Sequence, residues 1–416
     1  MVIDHDRDLR ESTVTTASAI HRPAPTPVRE RALAPDLARG MMLLLIALAH
    51  VPWFLFDSPI GPSPMHPDEG GVLDRVAQVV TMVVVDGRVH TMFAFLFAYG
   101  IVQMHRRQLD RGTDPKDARR LLRRRHWWML AFGAVHALVL WQGDILGTYG
   151  VLGLILVPLF IGRRDRTVAI AAGVLVGLAV LPAILATAVG LLVPGAPVDN
   201  TVVQLQQGIA ANPSYLAATA TRPLLWAFAI ASGLFSLVLP AAFLLGMLAA
   251  RHRVLERPAE HLRLLRTTAV LGIAIGWGTG LVHGLDHIGA IALATPAALT
   301  PINFATGLGT GLGYAAVMGL IAHRLQRRGG EAPLPVRAVV SLGRRSLSGY
   351  LAQSVLFMPL LAAWGLGVGA QLSSASVMLV GLGTWLITVI VAYALDRAGK
   401  RGPAEVALRR LTYGRG

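Results

Sequence analysis

The sequence predicts an all-α fold, a polytopic membrane helix bundle of about ten transmembrane helices with both termini in the cytoplasm. Three observations lead there. The 416 residues are 54% hydrophobic and only 15% charged, with a mean hydropathy of +0.56, a balance that ordinary water-soluble chains do not carry. Apolar residues gather in runs long enough to cross about 30 Å of hydrocarbon. Basic residues collect in alternate connections between those runs, as the positive-inside rule requires.

Taken in order, residues 1–35 are rich in Pro, Ala, Thr and Arg without apolar periodicity and are expected to form a disordered cytoplasmic tail. The run from Met41 to Phe56 has no small-residue cleavage site after it and reads as the first spanning helix rather than a signal peptide. Further spanning runs centre near residues 95, 132, 153, 180, 236, 278, 314, 355 and 385. With the N-terminus inside, 35 of the 38 Lys and Arg fall in inner segments, leaving Arg75, Arg88 and Arg222. The outer side then carries Asp57, Asp68, Glu69, Asp74, Asp86, Asp144, Asp199 and Asp286. The net charge of +15 is therefore topological, and no nucleic-acid partner is expected.

Two segments depart from simple spans. Val72 to Met104 is too long for one crossing, and Asp74, Arg75, Gln78, Asp86 and Arg88 interrupt its first half, which is expected to lie re-entrant or along the interface. The outer segment 194–223 is long enough to form a lid. Residues 36–416 thus form a single transmembrane domain. With no cysteine there is no disulfide framework, no thiolate nucleophile and no cysteine-ligated metal.

Ionisable side chains inside spans are costly and are functional candidates by default. His50 lies late in the first span; Asp86, Arg88 and His90 open the second; His136 closes the third; Asp144 opens the fourth; His283, Asp286 and His287 close the seventh. All belong to the outer half. A neutral imidazole at His50 can take a proton from a hydroxyl or amine, with Asp86 or Asp144 to orient it. Read structurally, the same histidine makes an interhelical hydrogen bond and Asp86 with Arg88 a buried ion pair. His283 and His287 share a helix face, but no third ligand accompanies them and no metal is expected. The glycine runs Gly272–Gly280 and Thr306–Gly313 fit close helix approach and match neither a dinucleotide nor a phosphate loop. The arginines at 119, 120, 123, 124 and 125 read as a topogenic, headgroup-binding cluster.

Several ordered blocks resemble one family. They are DLARG at Asp36–Gly40, DGRVHTMFAFLFAYG at Asp86–Gly100, and GAVHALVLWQGDILGTYGVLGL at Gly133–Leu154, with His136, Gly143–Leu146 and Tyr149 in its signature positions. GRRSLSGYLAQS at Gly343–Ser354 and GPAEVALRRLTYG at Gly402–Gly414 follow. Together they resemble the YeiB-like bacterial membrane proteins, a domain of unknown function within the transmembrane acyltransferase superfamily. That resemblance implies a multi-pass protein of the bacterial inner membrane. More distantly, Asp36, Arg39 and His50 are similar to the Asp-x-x-Arg element and essential histidine of acyltransferase-3 type proteins, which take acyl groups from cytoplasmic acyl-CoA. Asp36 and His50 are 14 residues apart, about 21 Å along a helix, and so lie at opposite depths.

The resemblance and the polar cluster together point to a membrane-bound O- or N-acyltransferase. His50 is its expected general base, with Asp86 and Asp144 in the catalytic set. Arg88, His90, His136 and Tyr149 are candidates for substrate binding. Arg39, Arg344 and Arg345 would hold the phosphates of acyl-CoA in forked hydrogen bonds. The acceptor would be a small molecule, lipid or glycan bearing a hydroxyl or amine; a homodimer is left open. The alternative is a transporter or exporter of a small amphipathic or lipid-like molecule, in which the same residues line a substrate or proton path. A scaffold or sensor, in which they only stabilise the bundle, is a third reading.

Overall fold

A computed structural model describes residues 32–63, 65–68, 70–193, 200–293, 295 and 298–414. Among these residues fifteen α-helices follow one another: α1 (Leu33–His50), α2 (Val72–Val84), α3 (Val89–Asp110), α4 (Pro115–Val139), α5 (Leu146–Phe160), α6 (Asp165–Leu192), α7 (Thr201–Ala210), α8 (Tyr215–Phe235), α9 (Val238–Arg251), α10 (Leu262–His287), α11 (Thr300–Arg328), α12 (Leu334–Arg344), α13 (Ser346–Leu361), α14 (Ser374–Arg397) and α15 (Pro403–Tyr413). Among the described residues there is no strand, and one isolated bridge joins Ile60 to Pro67. Backbone groups in hydrocarbon must be satisfied within the protein, which an all-helical chain achieves turn by turn.

Among the described residues six helical stretches are long and apolar enough to cross a membrane, and seven if the pair α8 and α9, bent by 60°, counts as one. The expected centres at 132, 153 and 355 fall in α4, α5 and α13, which are helical but do not meet that standard. α4 carries its five arginines in its first half, and the other two are only 15 and 16 residues long. Large apolar side chains stay exposed along α6, α10 and α14, among them Leu181, Leu185, Val270, Ile275, Leu379 and Ile390. In a folded protein such surface is tolerated when lipid covers it, so the protein is embedded in a bilayer as a multi-pass helical bundle.

Local chemistry sets the helix ends. α1 starts at Leu33, eight residues before the expected run, because Pro35 is tolerated in a first turn whose N–H groups have no partner anyway. It ends at His50, where Pro52 withdraws a donor and the chain tightens into a 3₁₀ turn, Val51–Phe54. Asp114 caps α4 by accepting the Lys116 N–H at 2.7 Å. Residues 72–84, expected to lie re-entrant or interfacial, form α2, which packs along α10 and α14. Together with α3 it makes one apolar stretch of 39 residues, broken at Gly87, whose φ of +74° excludes most side chains.

The two glycine runs, expected to permit close helix approach, pack against each other. A Cβ on Gly272 of α10 would collide with the Gly309 carbonyl of α11, and these helices pack along their whole length. Residues 1–31 of the expected tail and 194–199 of the expected lid lie outside the described residues. The rest of the lid segment folds as α7 and the start of α8. α7 sits against the 3₁₀ turn after α1, where Gln207 Nε2 donates to the Leu55 carbonyl at 3.4 Å.

Candidate functional site

The polar side chains expected in one outer pocket are divided between two buried clusters. Neither carboxylate meant to orient His50 touches it: Asp144 is engaged by His136 and Asp86 by His66. His50 itself is 6% exposed and lies among rings, with Trp141 at 5.9 Å, Tyr350 at 6.3 Å and Phe357 at 6.4 Å between centroids. Its Nδ1 is buried without a hydrogen-bond partner.

The first cluster is built where α4 ends, α5 begins and α13 passes. The connection between α4 and α5 is not on the surface: Trp141, Gln142 and Asp144 are each 1% exposed. Irregular backbone at membrane depth persists only where protein encloses it or a cavity needs it. Asp144 caps the first turn of α5, its Oδ1 accepting the Gly147 N–H at 2.8 Å and the Trp226 Nε1–H at 3.4 Å. Its Oδ2 is left for the His136 Nδ1–H, 2.7 Å away. With Nδ1 donating, the lone pair of the imidazole is on Nε2, which faces the Ser354 hydroxyl at 2.9 Å. Ser354, His136 and Asp144 thus form a continuous hydroxyl–imidazole–carboxylate relay. The Tyr350 ring lies 5.1 Å from His136, and its hydroxyl accepts the Ile145 N–H at 3.2 Å.

The second cluster joins the loop after α1 to the break between α2 and α3 and the facing ends of α10 and α11. His66 Nε2 meets Asp86 Oδ2 at 2.7 Å. His283 Nε2 bonds Ser63 Oγ at 2.9 Å, and His287 accepts the Ser63 N–H on Nδ1 at 3.3 Å while its Nε2–H donates to the Pro67 carbonyl at 3.2 Å. Arg88, fully buried, does not pair with the Asp86 carboxylate. Its guanidinium reaches the Asp86 and Gly276 carbonyls and Asn303 Oδ1. Among the described residues no group of His, Asp or Glu is arranged to hold a metal ion. His90 is half-buried at the start of α3, and its carbonyl takes the Tyr149 hydroxyl at 2.7 Å.

The opposite, arginine-rich end of the bundle holds a cavity of about 290 Å³. Arg39, Arg107, Arg125, Arg344, Arg401 and Arg409 line it, with Met42, Phe93, Leu96 and Phe97 as apolar wall and Tyr350 and Leu146 also contributing. Its two acids are already engaged. Asp36 pairs with Arg39 at 3.1 Å and Arg344 at 3.6 Å, and Glu405 accepts the Leu347 and Ser348 N–H groups at the start of α13. Tyr413 adds a phenol whose pKa burial pushes up, against the pull of Arg125 and Arg111, so it stays a hydrogen-bond donor. Arg345 is not part of the cavity wall. It is 7% exposed and holds Asp396 at 2.9 Å together with the Ser341 and Lys400 carbonyls. That binding tethers α14 to α12.

Residues 249–415 match the family described as Protein of unknown function (DUF418). Over 94% of its length the chain is 24% identical to the uncharacterized protein YxaH of Bacillus subtilis (strain 168), covering 96% of that protein. It is also 31% identical to the uncharacterized protein YeiB of Escherichia coli (strain K12) over 128 residues, 30% of each chain. The family match and these two relatives support the resemblance to the YeiB-like proteins of unknown function. The segment matched by the family profile contributes Ser354 and Tyr350 to the relay, Arg344 to the cavity and His283 and His287 to the second cluster.

Two residues central to these clusters escape a reading of charge in apolar runs. His66 sits in a loop rich in Pro, Asp and Glu that resembles solvated chain, yet it is 4% exposed. Ser354 is uncharged and mid-helix, and its partner His136 is 218 positions away. The one available signal is the GRRSLSGYLAQS block, which ends on that serine.

Proposed function

We propose that this protein is an acyltransferase of the bacterial inner membrane, taking an acyl group from cytoplasmic acyl-CoA and delivering it to a hydroxyl or amine presented from the other side. The observation that carries this reading is the placement of the cavity. Six arginines line it together with Tyr350, which stands one helical turn from Ser354 and in ring contact with both His50 and His136. The positive-inside rule makes the arginine-rich end cytoplasmic. Guanidinium groups bind phosphates in forked pairs, which suits the charged end of a CoA. Met42, Phe93, Leu96 and Phe97 offer an apolar path for its chain. His50, whose Nδ1 is unspent, is then the base for the acceptor.

The chain has no cysteine, so a thiol reagent reports released CoA without background. Purified protein in nanodiscs, given acyl-CoA and a panel of hydroxyl and amine acceptors, is expected to release thiol in an acceptor-dependent way, and His50→Ala to lose that dependence. No release with any acceptor, together with uptake of an unmodified solute into proteoliposomes, would instead favour transport.

A further inference from the structure

We infer that Ser354 is a nucleophile that carries the acyl group as a covalent ester, with His136 as its base and Asp144 as the carboxylate that orients the base. This rests on the preceding reading for the identity of the donor, though not for the reactivity of the serine.

The geometry is the first support. Asp144 is fixed by the Gly147 N–H and the Trp226 indole, which leaves His136 Nδ1–H for Oδ2 and the Nε2 lone pair for the serine hydroxyl. All three residues are 1–2% exposed. A serine inside a membrane helix ordinarily folds its hydroxyl back onto a carbonyl one turn earlier. Ser354 directs it across to another helix, at an imidazole in the tautomer that accepts. That arrangement removes a proton from the hydroxyl as it attacks a carbonyl carbon.

The second support is a set of buried polar atoms with nothing to bond. His50 Nδ1, Trp141 Nε1 and both polar atoms of the Gln142 amide have no hydrogen-bond partner in the structure. Native interiors leave few such groups. His50 packs against Tyr350 and Phe357, the α13 positions one turn to either side of Ser354, and Trp141 packs on His50. Of these, His50 and Trp141 belong to the ring cluster beside Ser354, and their unspent nitrogens match the needs of a carbonyl oxygen that gains charge and an acceptor that loses a proton.

The chemistry then closes. Ser354 Oγ attacks the thioester carbon while its proton passes to His136 Nε2. The C–S bond breaks, and the departing sulfur takes that proton to leave as free CoA. The acceptor's hydroxyl or amine next attacks the Ser354 ester carbon, giving its proton to His50. The C–Oγ bond breaks, and the Ser354 oxygen takes up the proton that His50 received from the acceptor, which returns both side chains to their starting states. Water in place of the acceptor returns a carboxylic acid and the free serine.

The test is active-site labelling of the intact protein in nanodiscs, read by peptide mass. A fluorophosphonate probe is expected to modify Ser354, and long-chain acyl-CoA without acceptor to leave its acyl group there. His136→Ala should lose at least about a hundredfold in both labelling rates. Arg39→Ala should slow acyl-CoA labelling alone. Fluorophosphonate adduct at Ser354 without acyl adduct upholds the nucleophile and rejects the donor. Acyl-CoA turnover that persists in Ser354→Ala, with no adduct on the wild-type serine, overturns the nucleophile and leaves the donor standing. No adduct from either reagent and no turnover overturns both. Thermal unfolding of Ser354→Ala and Ser354→Thr separates lost folding from lost chemistry.

Discussion

His66 Nε2 and Asp86 Oδ2 lie 2.7 Å apart, pinning a loop of extramembrane composition to the break between α2 and α3. The side chains of both are under 10% exposed, at 3% and 9%. A loop that would otherwise be solvated is thereby made part of the packed interior, with Ser63 held by His283 and His287 on its other flank.

Breaking this pair one partner at a time should cost more than removing both. His66→Ala leaves a buried carboxylate without its partner, an effect of about 3 kcal/mol. Asp86→Asn strands the imidazole less severely. In a double-mutant cycle on thermal unfolding in detergent, the two substitutions should couple by about 1 to 3 kcal/mol. Additive losses would mean that the contact contributes nothing to stability.

Gly133 on α4 is where the relay's scaffold is most sensitive. A Cβ there would strike the Gly147 nitrogen and Asp144 Oδ1. Gly133→Ala should therefore force α4 and α5 apart, lower the thermal midpoint and abolish fluorophosphonate labelling. Gly177 on α6 has nothing within 4 Å of a built Cβ. There Gly177→Ala should be neutral or stabilising by up to about 1 kcal/mol, from helix propensity alone.

The arginines separate into two kinds. Arg39 and Arg344 line the cavity, and on the proposed function each would donate charged hydrogen bonds to a phosphate of the donor. Replacing either by Ala should weaken CoA binding, measured by calorimetry, by about tenfold or more, corresponding to about 1.5 kcal/mol per charged bond. The affinity should also fall with rising salt. Arg345→Ala should leave CoA affinity unchanged in the fraction that folds while lowering stability, because Asp396 and two carbonyls lose their donor.

Legibility in the sequence followed the physics of each signal. Runs of apolar residues mark helices because hydrocarbon permits little else, so all the expected centres but 236 fall within helices, and that one marks the bend between α8 and α9. The bend itself was hidden: Leu237 adopts a left-handed φ of 59°, which no residue-type pattern announces. α12 and α15 carry arginines and short apolar stripes, below the length at which a membrane criterion responds. Within the site, charge in a lipid-facing run made Asp86, His136 and Asp144 conspicuous. Which imidazole meets which carboxylate depends on tertiary packing, and so the carboxylates assigned to His50 belong to other histidines.

Arg222 carries the last prediction. Fully buried in α8, it donates to the Leu138 and Val139 carbonyls that end α4, at 3.0 and 3.1 Å. Its guanidinium carbon stands 5.2 Å from the Tyr215 ring centre and 6.0 Å from that of Trp364. A cation over aromatic faces at a helix C-terminus is stabilised by both fields. Arg222→Ala should cost about 2 to 3 kcal/mol of unfolding free energy, and Arg222→Lys should recover only part of it, since a compact, strongly hydrated ammonium stacks less well than a planar guanidinium on the Tyr215 and Trp364 rings. Tyr215→Phe removes a 2.7 Å hydrogen bond to the same Val139 carbonyl and should cost about 1 kcal/mol. Because Arg222 and Tyr215 share that acceptor, the double variant should lose less than the two single losses combined, and thermal unfolding of the four proteins decides it.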